Sequence, residues 1–113
     1  MHCLFCDIVR KTRPARILFE DSSVLAFEDI HPQAPVHVLV VPKKHIPTSL
    51  DIQEEDMPLV GSLFKTASKI AREKGIAERG FRVVMNCNRE AGQTVFHLHL
   101  HVLGGRGMRW PPG

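Results

Sequence analysis

Tyrosine is absent from this chain, tryptophan occurs once, and aromatic residues make up only 6% of the sequence. With no run of lysine and arginine interleaved with aromatics, there is no platform for stacking single-stranded nucleic acid. Charge of one sign is scarce too: 15 basic against 12 acidic residues leave a formal +3. That surplus suits small phosphorylated ligands and is too slight to argue for a nucleic-acid partner. No segment approaches the roughly 20 apolar residues of a membrane span, so no membrane association is expected. No basic stretch followed by an apolar run marks an export signal after Met1-His2-Cys3. Three cysteines are an odd count, which without export points to thiols or metal ligands rather than disulfides, and to the cytoplasm.

What is present suffices for one domain over residues 1–113, since 43% of the chain is hydrophobic. Cys3-Leu4-Phe5-Cys6 is a Cys-x-x-Cys, readable as a zinc half-site, a redox pair or coincidence. Leu4, Phe5, Ile8 and Val9 suggest a short helical turn, which Arg13-Pro14 breaks. Residues 17–20 and 24–28 are apolar runs around Asp21-Ser22-Ser23, a hairpin pattern. The proline-marked loop 29–35 begins with Asp29, whose carboxylate could bind a sugar diol or cap a turn. Residues 37–42 form a nearly continuous apolar strand, hence a central one. In the basic turn that follows, His45 reads by itself as an exposed loop histidine.

The spacing predicts a helix from near Asp56, with Pro58 in its first turn and Lys74-Gly75 as its stop. Its apolar stripe runs through Met57, Val60, Phe64, Ala67, Ile70 and Ala71, a core or dimer surface. Residues 81–86 give a fourth strand, and Cys87 reads as a small residue of a polar strand. The order of elements predicts an α+β domain, an antiparallel sheet with helices on one side.

The stretch Phe96-His97-Leu98-His99-Leu100-His101-Val102-Leu103 alternates histidine with bulky apolar residues, a strand pattern that puts all three imidazoles on one face. Each ring brings polar nitrogens that need partners when buried, so mere packing would not select them. Such a face could hold a catalytic metal, provide a nucleophile toward phosphorus, or be structural. The surroundings favour the nucleophile. Asn86, Gln93 and Thr94 are neutral groups that bind phosphate oxygens, and no carboxylate lies near in sequence to serve a metal as general base. An imidazole with its ordinary pKa of about 6.5 is also largely unprotonated at pH 7.

The segment from Gln93 to Arg106 resembles the signature of the histidine triad (HIT) superfamily. Together with Asp29-Ile30, Pro32-Gln33-Ala34-Pro35, His37, Pro42-Lys43-Lys44-His45-Ile46 and the ending Trp110-Pro111-Pro112-Gly113, it is similar to the Hint branch, the purine nucleoside phosphoramidases. The resemblance covers essentially the whole chain. It implies a HIT-like fold, a five-stranded antiparallel sheet with one long and one short helix, paired into a homodimer with a continuous sheet. His99 would attack the α-phosphorus of an adenosine or guanosine 5′-phosphoramidate, including adenylylated lysine, and carry the nucleotidyl group. His37, His97 and His101 would orient and polarise the site, and Thr94 would sit near the leaving group. Asn86, Gln93 and Thr94 would hold phosphate oxygens, and Asp29 the ribose hydroxyls. Phe5, Ile8, Phe27 and Ile30 would sandwich the purine of AMP or GMP. The strand at 81–86 and the long helix would join the protomers, and the tail 104–113, with Trp110, would reach the dimer and active-site region. Alternatives are a dinucleoside polyphosphate hydrolase, a nucleotidyl transferase, or a zinc-containing nucleotide-binding interaction module.

Two positions depart from the Hint pattern. Glu28 stands where many members have histidine, which would make the surroundings of Asp29 more negative. Thr94 replaces serine, keeping the hydroxyl with fewer rotamers. Catalysis on this pattern requires no metal. Related HIT proteins carry a structural zinc, and the matching ligands are Cys3, Cys6, His45 and His97. His97 is therefore claimed by two sites.

Overall fold

In the computed structural model, which describes residues 2–113, α1 (Leu4–Val9) leads into a hairpin of β1 (Ile17–Glu20) and β2 (Val24–Glu28). Asp21 shapes its turn, accepting the backbone N–H groups of Ser23 and Val24 at 2.8 Å each. Next come β3 (Val36–Pro42), two short 3-10 turns, α2 (Met57–Glu73), β4 (Phe81–Val84) and β5 (Leu100–Gly104). All ladders are antiparallel and the sheet order is β1-β2-β3-β5-β4. The central strand is thus the nearly continuous apolar run at 36–42, as full burial on both faces requires.

The two faces of the sheet are covered by different helices. Val38 and Val40 of β3 and Leu100 and Val102 of β5 pack with Leu63, Ala67, Ile70 and Ala71 of α2. Leu39 and Val41, one residue out of phase, pack with Phe5 and Ile8 of α1 together with Leu25 and Phe27. The helices therefore lie on both sides, not on one as the order of elements predicted. A short amphipathic turn such as α1 can cover only part of a face, and the uncovered part becomes the wall of a cavity.

Other expectations shift in detail. The strand expected over 96–103 joins the sheet only from Leu100, and that expected over 81–86 ends at Val84. Cys87 accordingly lies beyond β4 rather than within a strand; the Ser49 hydroxyl beside it lowers its pKa. Met57 and Phe64 are 55% and 49% exposed, while Leu63 and Thr66 are buried in their place. The stripe facing the sheet is rotated by about one residue from the expected one. Asp56, at the start of α2, accepts from Lys44 Nζ at 2.6 Å and from the Gln53 backbone N–H at 2.9 Å.

Candidate active site

A cavity of about 350 Å³ opens beside α1 where the sheet is left uncovered, within the range of small-molecule sites. Part of its lining is apolar, from Phe5, Ile8, Phe27 and Leu39, with Ile30 at an exposed rim. The rest is polar, from Asp29, Asn86, Thr94, His99 and His101. Phe5 touches both parts, standing edge-on to Phe27 at 5.5 Å and to His99 at 5.0 Å between ring centroids. A larger hollow of about 480 Å³ near Gly75, Arg79 and Gly105 holds no histidine or thiol; it lacks the groups for nucleophilic chemistry.

The hydrogen bonds fix which nitrogen of each imidazole carries the proton. His99 Nδ1 lies 2.7 Å from the carbonyl oxygen of His97. A carbonyl only accepts, so Nδ1 donates and Nε2 keeps a free lone pair. His37 Nδ1 accepts the backbone N–H of Gln33 at 3.0 Å. The proton of neutral His37 is then on Nε2, which donates to His101 Nδ1 at 2.9 Å. His101 is left with its own proton on Nε2. This assignment follows from the partners of each ring.

Burial pushes the pKa values of His37 and His99 below the ordinary histidine value. Burial, with His99 and His37 beside it, lowers His101 to about 4. All three are neutral at pH 7, the form a nucleophile and a neutral donor need. Of the two uses its position allowed, Asp29 shows the turn cap: Oδ1 accepts the His31 N–H (2.8 Å), while Oδ2 sits 3.4 Å from His37 Nε2.

His97 faces elsewhere. Its Nδ1 lies 3.4 Å from Cys3 Sγ, 3.5 Å from Cys6 Sγ and 3.2 Å from His45 Nδ1, and Cys6 Sγ lies 3.3 Å from His45 Nδ1. The four ligand atoms are all within 4.8 Å of one another. Tetrahedral zinc with ordinary bond lengths needs ligand–ligand separations of about 3.3–3.8 Å, so this cluster can accept such an ion with little movement. His97 Nε2 donates to the Pro42 carbonyl at 2.7 Å, leaving Nδ1 unprotonated toward the cluster, the outer-shell bond that orients a ligating imidazole. All three cysteines are free thiols. A second group, Asp29, His37 and His101, also clusters. There the Gln33 N–H holds the proton on the inward nitrogen of His37, which disfavours a cation.

Of the expected site residues, Phe5, Ile8, Phe27, Asp29, Ile30, Asn86, Thr94, His99 and His101 come together around the cavity. His37 stands behind His101. Gln93 does not line it: its Nε2 donates to Pro47 and Val95 carbonyls at 2.8 and 3.1 Å, and its Oε1 accepts the Asn88 N–H at 2.8 Å. Its amide is spent on shaping the 88–95 loop rather than presented to a phosphate. Trp110 is 83% exposed and away from this chain's own cavity; Arg82 Nη2 holds the neighbouring Arg109 carbonyl at 3.0 Å. The His97 ring leaves the catalytic face, and only its carbonyl takes part there. Glu28 does line the cavity, but Arg16 Nε at 3.0 Å and Lys74 Nζ at 3.6 Å offset its charge.

Three further groups at the site left no mark in the sequence pattern. Arg13 lines the cavity, though Arg13-Pro14 signalled only a helix break. The Gln33 amide and Pro42 carbonyl are backbone groups, which side-chain patterns do not reveal.

Comparison with known proteins agrees with this fold. A profile described as the HIT domain matches residues 10–108. An uncharacterised HIT-like protein of Synechocystis sp. is 51% identical over 110 residues, 97% of this chain and 96% of the relative. The crystal structure of a HIT family hydrolase from Legionella pneumophila superposes with a TM-score of 0.97 at 50% identity, covering 99% of this chain and 100% of that one. A histidine triad protein from Clostridium difficile gives a TM-score of 0.92 at 45% identity, covering 96% and 95%.

Proposed function

This chain belongs to the HIT domain family, and from that premise we propose that it is a Hint-type hydrolase of purine nucleoside 5′-phosphoramidates working through a nucleotidyl-histidine on His99. The observation that carries the reading is the 2.7 Å bond from His99 Nδ1 to the His97 carbonyl. It holds the ring, fixes its proton away from the cavity, and leaves Nε2 as an oriented lone pair.

His99 Nε2 attacks the α-phosphorus; a phosphorus–nitrogen bond forms to the imidazole as the bond to the leaving amine breaks. The amine departs neutral by taking a proton from the hydrolytic water, which the His101 Nε2–H orients while the His37 Nε2–H holds His101 Nδ1 from behind. The hydroxide so formed attacks the same phosphorus; a phosphorus–oxygen bond forms as the bond to His99 Nε2 breaks, and His99 returns neutral with its proton still on Nδ1. Phe5, Ile8, Phe27 and Ile30 sandwich the base, Asp29 meets the ribose hydroxyls, and Asn86 and Thr94 face the phosphate oxygens. Dinucleoside polyphosphates and acceptors other than water use the same intermediate, and comparing rates on a phosphoramidate and a diadenosine polyphosphate ranks them.

Zinc on Cys3, Cys6, His45 and His97 completes a closed site of two sulfurs and two nitrogens, structural in type. Reduced thiols in such a site suit the cytoplasm. The outer edge of β4 and the exposed Phe64 and Met57 of α2 offer a surface for homodimerisation; sedimentation at micromolar concentration should give twice the 12.7 kDa chain mass, and a monomer at that concentration rejects it.

The decisive experiment is rapid quenching with a labelled nucleoside phosphoramidate. The label should be found on His99, and His99→Asn should lose it along with at least about a thousandfold in turnover. Normal turnover by His99→Asn would sink the mechanism.

A further inference from the structure

We infer that Arg106 is a positioning residue for the reaction, acting on His101 through Gln33 and His37; this rests on the catalytic reading above. Arg106 lines the other hollow and does not touch the nucleotide cavity. Its Nε and Nη2 both donate to the Gln33 carbonyl, at 3.1 and 3.0 Å, and its Nη1 donates to the Gly107 carbonyl at 3.0 Å. The same residue, Gln33, donates its own N–H to His37 Nδ1 at 3.0 Å, and His37 Nε2 donates to His101 Nδ1 at 2.9 Å. The arginine fork therefore holds the backbone donor that, with Asp29 Oδ2 3.4 Å from Nε2, keeps the His37 proton on Nε2.

The close seat of this loop is visible beside the fork. Gly105 has φ +89, and a Cβ there would stand 2.9 Å from Pro35 Cβ, so the end of β5 lies directly against the loop. Pro32, immediately before Gln33, supplies no N–H of its own.

The consequence of releasing the loop is a reversal, not a loosening. With the Gln33 N–H withdrawn, His37 Nδ1 loses its donor and can take the proton. Its Nε2 then becomes an acceptor. His101 Nδ1 must donate in return, and the nitrogen facing the leaving group is left bare. A planar guanidinium can occupy both lone pairs of one carbonyl; a single ammonium cannot hold the same geometry.

Long-range proton–nitrogen NMR of the free protein reads the proton positions without any substrate. Wild type should show His37 and His101 protonated at Nε2, and Arg106→Ala should show His37 moved wholly or partly to the Nδ1 form. In turnover, Arg106→Ala should lose roughly ten- to a hundredfold in kcat with little change in KM. Added guanidinium should restore part of that loss, with Arg106→Lys falling between. If Arg106→Ala does not fold, Arg106→Lys carries the same readouts. An unchanged His37 tautomer, a wild-type His37 already protonated at Nδ1, or a loss confined to KM would overturn the role. Because the NMR result needs no nucleotide, failure of the phosphoramidate reading would leave it standing and distinguishable.

Discussion

His97 and His99 stand two residues apart with the same side chain, and one hydrogen bond separates their chemistry. His97 gives Nε2 to the Pro42 carbonyl and turns Nδ1 toward two thiols and His45. His99 gives Nδ1 to the His97 carbonyl and keeps Nε2 for the cavity. His101 is the third case, its Nδ1 occupied by His37. Because its pKa falls from 6.5 to about 4 on burial, the folded state binds fewer protons than the unfolded one between those values. Stability from this group is therefore complete above pH 6.5 and is lost as pH falls toward 4. The urea midpoint should decline over that window, and His101→Asn, which cannot take the proton, should flatten the decline. A profile identical in the two proteins would show that His101 is not buried neutral.

At the scale of elements, period-two alternation was legible even where no ladder forms. Leu98 is buried in the α2-side core and His97 and His99 on the other side, although β5 begins only at Leu100. The alternation held because one residue in two had an apolar core to enter. The helix stripe was less legible, since Val60, Leu63, Phe64 and Ala67 are all apolar or small and their spacing admits more than one face. The site was legible where side chains carry it, at Asp29, His37 and His99, and illegible where backbone groups do. β5 also illustrates a demand that composition does not show. A Cβ on Gly104 would lie 2.5 Å from Ile76 Cδ1 and 3.1 Å from Ile76 Cβ. Gly104→Ala should cost about 1–3 kcal/mol in denaturant unfolding, with Ile76→Val at the same time recovering part of it. An unaltered midpoint would mean that the loop after α2 yields freely.

For the whole molecule, the thiol–imidazole cluster joins segments that no continuous strand connects: α1, the turn after β3 and the approach to β5. A six-residue helix is far too short to persist alone, so α1 depends on Phe5 and Ile8 in the core and on the cluster at its N-terminal end. With zinc bound as proposed, its removal by a chelator, or Cys6→Ser, should lower Tm by several degrees, since each kcal/mol shifts a domain of this size by about 4–8 °C. Because α1 walls the cavity beside His99 but holds no reacting atom of the proposed mechanism, KM should rise more than kcat falls. Immediate loss of His99 labelling on chelation, at a temperature where the fold persists, would point instead to a metal in the chemistry.

The sequence by itself determined the family, the α+β class, the central strand and most of the candidate side chains around the cavity, because alternation and motif spacing are local properties of a chain. Only the tertiary structure decided how the histidines divide their work. Proton positions on three imidazoles depend on the carbonyls of His97 and Pro42 and the amide of Gln33, groups that every residue of their kind possesses. What distinguishes them is where the fold places them: the turn that brings Gln33 to His37, the arginine that holds it there, and the short helix that brings two thiols to His97. The alternating stretch is one pattern in sequence and two sites in space.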